Sequence, residues 1–263
     1  MTACTGPGSP LAGLEHWYRT PLGRDVAARE ADCLTQLLHD TFGYYLVQVG
    51  LGDCFREVLA ASRLRHRVLL PGEPPTGAHG PAVVGDPAAL PVAADAVDVV
   101  LLPHTLDFVA DPRKVLREVE RVLIPEGHVI ILGFNALSPW GLMRLLYRYR
   151  GRAPWCGRFL TTYRVEDWLS LLGFDVEVRQ HLMFRPPLRG VQGPRFAVFD
   201  ALGRGLWPAL GGVYVIKAVK RVSTLTPLRP SWSARRALLA GGAIEPSTRR
   251  GAPGVRRSGR PSA

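Results

Sequence analysis

The sequence predicts an α/β protein whose mostly parallel sheet is covered by helices on both faces. Three observations predict it: an ordinary globular composition, strand-like apolar runs that alternate with helical patterns, and one unbroken strand-helix-strand unit near the middle of the chain. The chain has 263 residues, 47% hydrophobic and 21% charged, which excludes disordered, collagen-like and coiled-coil classes. Its length suits one large domain with a tail. Strands that alternate with helices need crossover connections, and crossovers place helices on both sides of a parallel sheet.

Residues 1–22 are rich in Gly, Pro and Ser and read as an irregular lead-in. An amphipathic helix is predicted at about 24–42, with Leu34, Leu37, Leu38 and Phe42 on one side. Residues 44–51 (YYLVQVGL) read as a strand, followed by a helix near 53–63 and two further strands at 67–70 and 82–84. Val97 to Leu102 is a nearly continuous apolar strand. Asp111 is placed to cap the next helix with Pro112 at its first position. Val115, Leu116, Val119, Val122 and Leu123 give that helix an apolar stripe, and Pro125 is expected to stop it. His128 to Phe134 reads as another buried strand, reached by a right-handed crossover. Helices at 138–150 and 164–174, the second closing at Gly173, precede a strand at about 175–181. A helix-like stretch near 196–206 and a last strand at 211–222 complete a domain expected over 23–222, with seven strands in all. After it, residues 223–263 turn to Arg, Pro, Ser and Gly and read as a basic, disordered tail.

The formal net charge is +11, and residues 221–263 hold nine Arg against a single acid, Glu245. Only Lys114, Lys217 and Lys220 are lysine. Such an arginine excess fits a GC-rich bacterial coding bias as well as it fits contacts to phosphate. Cys4, Cys33, Cys54 and Cys156 form no C-x-x-C pair and have no His at ligand spacing, so neither a zinc site nor a disulfide framework is expected. The N-terminus lacks the pattern of a secretion signal and no apolar run approaches ~18 residues, so the expected location is cytoplasmic, without a transmembrane segment.

Chemistry concentrates where strands end. The first strand runs into Val49-Gly50-Leu51-Gly52-Asp53-Cys54-Phe55, a turn in which glycine lets a ligand approach the main chain at the start of a helix. A dinucleotide fingerprint would need glycine at Phe55, which counts against an NAD site. A G-x-G-x-G loop would place its third glycine at Cys54, a milder departure. Asp53 would repel a phosphate but meet an ammonium-bearing ligand.

Further motifs follow: Gly85-Asp86-Pro87-Ala88-Ala89-Leu90-Pro91, then the strand Val97 to Leu102, the loop His104 to Val109, the capped helix Asp111 to Arg121, and the turn Leu123-x-Pro125-x-Gly127. In that order and spacing, the chain from about Tyr44 to Val222 resembles class I S-adenosylmethionine-dependent methyltransferases of the type 11 domain family. The resemblance implies a three-layer, Rossmann-like methyltransferase fold with strand order 3-2-1-4-5-7-6 and the last strand antiparallel. It also implies S-adenosyl-L-methionine as cofactor and transfer of its methyl group to an O, N or C acceptor, most simply a small molecule. Gly50 and Gly52 would flank the methionine portion. Asp86 would accept a hydrogen bond from the adenine amino group, with its neighbours Pro87 and Ala88 against the ring. The family's ribose-binding acid would follow Leu70, where Pro71 stands; Glu73 comes two residues later, so either the loop lets Glu73 reach the ribose or that anchor is missing.

His104 lies just beyond the fourth predicted strand and is the one titratable ring expected at the ligand-binding edge, as a catalytic or substrate-contact group or as a hydrogen-bonded structural one. Asp107 would orient it if both faced the cleft. The helix from Trp140 to Arg150 reads as a lid, as a surface for anionic lipid or RNA through Arg144 and Arg148, or as an ordinary packed helix. Two other functions compete with methyl transfer: a catalytically silent scaffold of the same fold with a degenerate cofactor loop, and a nucleic-acid-binding protein that uses the basic tail.

Overall fold

The computed structural model describes residues 10–71, 85–187, 203, 205 and 207–221. Its helices are α1 (Pro10–Tyr18), α2 (Pro21–His39), α3 (Arg56–Ala61), α4 (Thr105–Phe108), α5 (Pro112–Val122), α6 (Pro139–Tyr147) and α7 (Thr162–Leu171). Its strands are β1 (Gly43–Val49), β2 (Leu64–Leu70), β3 (Val97–Pro103), β4 (Leu123–Phe134), β5 (Phe174–Leu182) and β6 (Val213–Lys220). The described strands form one six-stranded sheet in the order β2-β1-β3-β4-β6-β5. The strands β2, β1, β3 and β4 are parallel, and β6 runs antiparallel between β4 and β5. This is the expected seven-strand order without its third member, because the run at 82–84 lies outside the described residues.

Alternation along the strands builds the three layers. In β3, Val100 and Leu102 pack with Val115, Leu116, Val119 and Val122 of α5 and Val165, Trp168 and Leu169 of α7. The alternate residues, Val99 and Leu101, pack on the opposite face with Leu34, Leu37 and Leu38 of α2 and Leu59 of α3. A period of two thus divides one strand between two cores, which is why the run reads as continuously apolar. A third cluster, with Leu14, Tyr18, Leu51, Phe134 and Trp140, lies where the chain covers the carboxyl ends of the strands.

Several boundaries differ from expectation. The lead-in is not irregular over its second half: α1 occupies residues 10–18, burying Leu14 and Tyr18 one turn apart. Thr20 accepts from Gly23 N and Pro21 opens α2, a cap that the Gly and Pro around it obscured. The helix expected near 53–63 is a 3-10 turn at Asp53–Phe55 followed by the short α3. Pro125 does not stop α5, which ends at Val122; it lies inside β4, where the pairing register with β3 shifts. Asp111 caps α5 as expected, accepting from Arg113 N and Lys114 N. Cys156 is disulfide-bonded, against the expectation of no disulfide; cysteine spacing alone carries no pairing signal. The helix-like stretch near 196–206, apart from Gly203 and Gly205, lies outside the described residues, as does the tail over 223–263.

Candidate active site at the carboxyl edge of the sheet

Because β1, β2 and β3 are parallel and in register at Val49, Leu70 and Gln48–Leu101, their carboxyl ends share one rim. In open α/β sheets ligands bind at such a rim. The glycine turn leaves β1 here. Gly50 has φ +106°, and a Cβ on it would stand 2.5 Å from Thr105 Oγ1, so the position needs glycine. Thr105 Oγ1 in turn donates to Val49 O at 2.5 Å and ties the turn to the end of β3. Gly52 N donates to Glu15 Oε1 of α1 at 2.6 Å.

Two consecutive carbonyls at the tip of β2 join this turn to a second one. Leu70 O accepts from Gly50 N at 3.0 Å, and Pro71 O accepts from Gly85 N at 3.4 Å. The second turn carries Asp86, which is exposed; its Oδ1 accepts from Ala88 N at 2.9 Å. Ala88 is half-buried against the core beside Leu70 and Leu90. The structure therefore brings Gly50, Gly52, Asp86, Pro87 and Ala88 to the same end of β1 and β2. Glu73 lies outside the described residues. Phe55 is buried among Leu34, Leu38, Leu46 and Leu59, on the α2 face of the sheet.

Sequence reasoning missed two residues of this rim. Gln48 is buried in β1; its Nε2 donates to Leu51 O and, at 2.8 Å, to Gly52 O, while its Oε1 has no partner among the described residues. A lone amide in an apolar strand two residues before the glycine turn was the available signal. Glu15 had none, since its contact spans 37 positions of the chain.

His104 follows directly on the end of β3. It is 0% exposed, in the left-handed region at φ 54°. Its Nδ1 lies 3.1 Å from Asp107 Oδ2 and its Nε2 2.9 Å from Glu30 Oε1 of α2. Tyr18 OH donates to the other Glu30 oxygen at 2.7 Å, and Phe134 N donates to Asp107 Oδ2 at 2.9 Å. Burial alone would favour the neutral imidazole, but the Glu30 charge and the hydrogen bonds from Asp107 and Glu30 outweigh it and raise the pKa to about 9. Both ring nitrogens are engaged by carboxyl groups, so neither faces a bound acceptor. Of the two roles expected for His104, this geometry is that of the hydrogen-bonded structural group, a buried tie between α2, the end of β3 and the end of β4. Burial likewise raises the Asp107 carboxyl.

A shallow cleft of about 250 Å³ lies further along the rim, where α5 and α7 begin. Arg113, Arg158 and Arg164 line it around the buried Trp168, and Arg113 stacks on that ring at 5.1 Å. None of the three guanidinium groups has a carboxylate partner among the described residues, and the lining acid Asp111 is engaged as a helix cap. Such a cleft suits an anionic group. Arg158 N donates to Asp107 O at 2.6 Å, linking the cleft to the His104 tie. Arg144 and Arg148 do not act as a pair: Arg144 Nε is half-buried on Gly157 O at 2.5 Å, whereas Arg148 Nη2 donates to Tyr149 OH at 2.6 Å.

Residues 71–131, which hold the Asp86 turn, β3 and α5, match the family model described as a methyltransferase domain. The fold of the chain is that of solved SAM-dependent methyltransferases. A SAM-dependent methyltransferase from Archaeoglobus fulgidus shares its fold with TM-score 0.56 and 18% identity, over 78% of this chain and 97% of that one. One from Thermotoga maritima gives TM-score 0.54 and 20% identity, over 80% and 96%. Among curated proteins, the uncharacterized protein YafS of Escherichia coli K12 is 39% identical over 157 residues, 57% of this chain and 60% of that one. The chain spans less than two thirds of the length of the curated relatives it matches. No helix among its described residues is long and apolar enough to cross a membrane.

Proposed function

We propose that this chain transfers a methyl group from S-adenosyl-L-methionine to an acceptor bound at the carboxyl rim of the sheet. The observation that carries the reading is the coupling of the glycine turn and the Asp86 turn through the neighbouring carbonyls of Leu70 and Pro71. That coupling would set the two halves of an adenosyl-methionine site side by side. The residues present fit the cofactor: Gly50 leaves room only for a main chain, and the buried Gln48 Oε1 lacks a partner among the described residues. Gly50 and Gly52 would hold the methionine portion, and Asp86, whose Oδ1 is held by Ala88 N, would accept from the adenine amino group. Glu15, on Gly52 N, would set a carboxylate near the cofactor's ammonium group.

When bound, the cofactor supplies a methyl group on a positively charged sulfur. The protein's part is proximity and alignment, because an in-line displacement needs no protein nucleophile. His104, Asp107 and Glu30 act by position: they fix the β3 and β4 ends between which the acceptor would lie. The arginine cleft favours an acceptor that carries negative charge. Comparative profiling of methylated small molecules in a host strain lacking the gene tests this reading. We expect one methylated anionic compound to disappear and to return with the wild-type gene but not with Gly50→Ala. An unchanged profile, or equal rescue by Gly50→Ala, would refute it.

The silent-scaffold reading has one observation in its favour, the occupation of Gly52 N by the chain's own Glu15. It predicts no saturable heat with millimolar S-adenosylhomocysteine.

A further inference from the structure

After β4 the chain crosses the rim as α6, and one side of this helix has no cover among the described residues. Leu142, Leu145, Leu146 and Tyr149 are 64%, 52%, 66% and 72% exposed. The spacing of three and four puts the three leucines on one stripe of α6, and Tyr149 follows in the 3-10 turn Arg148–Arg150. Leu137, just before the helix, is exposed as well. The opposite side is firmly held. Trp140 is fully buried with Nε1 donating to Arg185 O at 2.9 Å, Ser138 caps the helix at Gly141 N, and Arg144 is anchored on Gly157 O. The stripe is therefore a preformed face, and a contiguous exposed apolar face of this kind marks an interaction surface.

The charge around it selects the partner. Between Glu126 and Glu166 the sequence contains no acid and six arginines, at 144, 148, 150, 152, 158 and 164. Arg148 and Arg150 lie at the end of the stripe with their guanidinium groups 4.8 Å and 4.7 Å from the rings of Tyr149 and Tyr147. A second copy docking on the same face would bring like charges together, which a symmetric contact cannot relieve. An anionic lipid surface has the opposite charge and an apolar interior. We propose that α6 is a membrane-surface contact, its leucines entering the boundary between headgroups and acyl chains while Arg148, Arg150 and Arg152 meet lipid phosphates. Tyr149, with an apolar ring and a polar tip, suits that boundary. The inference is independent of the methyl-transfer reading.

Co-sedimentation of the full chain with phosphatidylglycerol-containing vesicles, against pure phosphatidylcholine vesicles, tests it. We expect binding to the anionic vesicles alone, and a loss of about tenfold or more in the triple variant Leu142→Ser, Leu145→Ser, Leu146→Ser. Because the basic stretch after residue 222 is the same in both proteins, the difference reads α6 alone. The variant should keep its Tm, since the replaced side chains are exposed. Equal vesicle binding by the variant would overturn the proposal. So would a wild type that ignores vesicles but binds homopolymeric RNA, or one whose oligomeric state, and not its vesicle binding, changes on substitution.

Discussion

At the scale of single residues, the buried tie of Tyr18, Glu30, His104 and Asp107 has a pH signature of definite sign. His104 titrates near 9 in the folded chain against an ordinary 6.5, so its stabilisation is complete below about pH 6.5 and is lost as pH rises through about 9. The shift corresponds to about 3 kcal/mol. The raised Asp107 carboxyl and Tyr18 hydroxyl add the same sign in their own ranges, since each keeps its proton longer when folded. Tm should therefore fall between about pH 6.5 and 9, and Glu30→Gln should flatten the decline by removing the main support of the charged ring. A Tm independent of pH over that window, or an unchanged slope in Glu30→Gln, would contradict the assignment. Gly50→Ala should cost about 1 to 3 kcal/mol in thermal unfolding, because its φ of +106° and the nearby Thr105 leave no place for a methyl group. The residues named from sequence at this scale were those in local motifs: Gly50, Gly52 and Asp86. Glu15 and Glu30 were unreadable, because their contacts with Gly52 and His104 join segments far apart in the chain. For His104 the position after the strand was visible but not which of its two roles applied, because the carboxylate on its Nε2 lies 74 positions earlier.

At the scale of elements, strands were legible through period-two or continuous apolar runs, and α5 through its Asp111-Pro112 start. Replacing Asp111 with Ala should cost about 1 kcal/mol in denaturant unfolding by freeing the Arg113 and Lys114 amides; no change would mean the cap contributes nothing. The first helix was missed because its Gly and Pro neighbours resemble a lead-in, and because its two buried side chains form too short a pattern to register. Its role is larger than its length, since Glu15 links it to the glycine turn. Glu15→Gln should weaken S-adenosylhomocysteine binding by about tenfold, the size of one charge-assisted hydrogen bond. Tighter binding in that variant would show instead that α1 obstructs the turn.

At the scale of the whole molecule, the order β2-β1-β3-β4-β6-β5 with one antiparallel insertion agrees with the arrangement that the resemblance implied. Repeated strand and helix patterns announce the fold class, but only pairing brings the Asp86 turn to the tip of β2. That placement decides what the rim can hold. Titration calorimetry with S-adenosylhomocysteine on the wild-type chain and on Asp86→Ala is the most direct examination of it. We expect saturable binding by the wild type and affinity about tenfold lower or worse in the variant, the size of one lost hydrogen bond to a charged group, with Tm near the wild-type value because Asp86 is exposed. Equal affinity in the two proteins, or no saturable heat from either, would contradict a cofactor site at this rim.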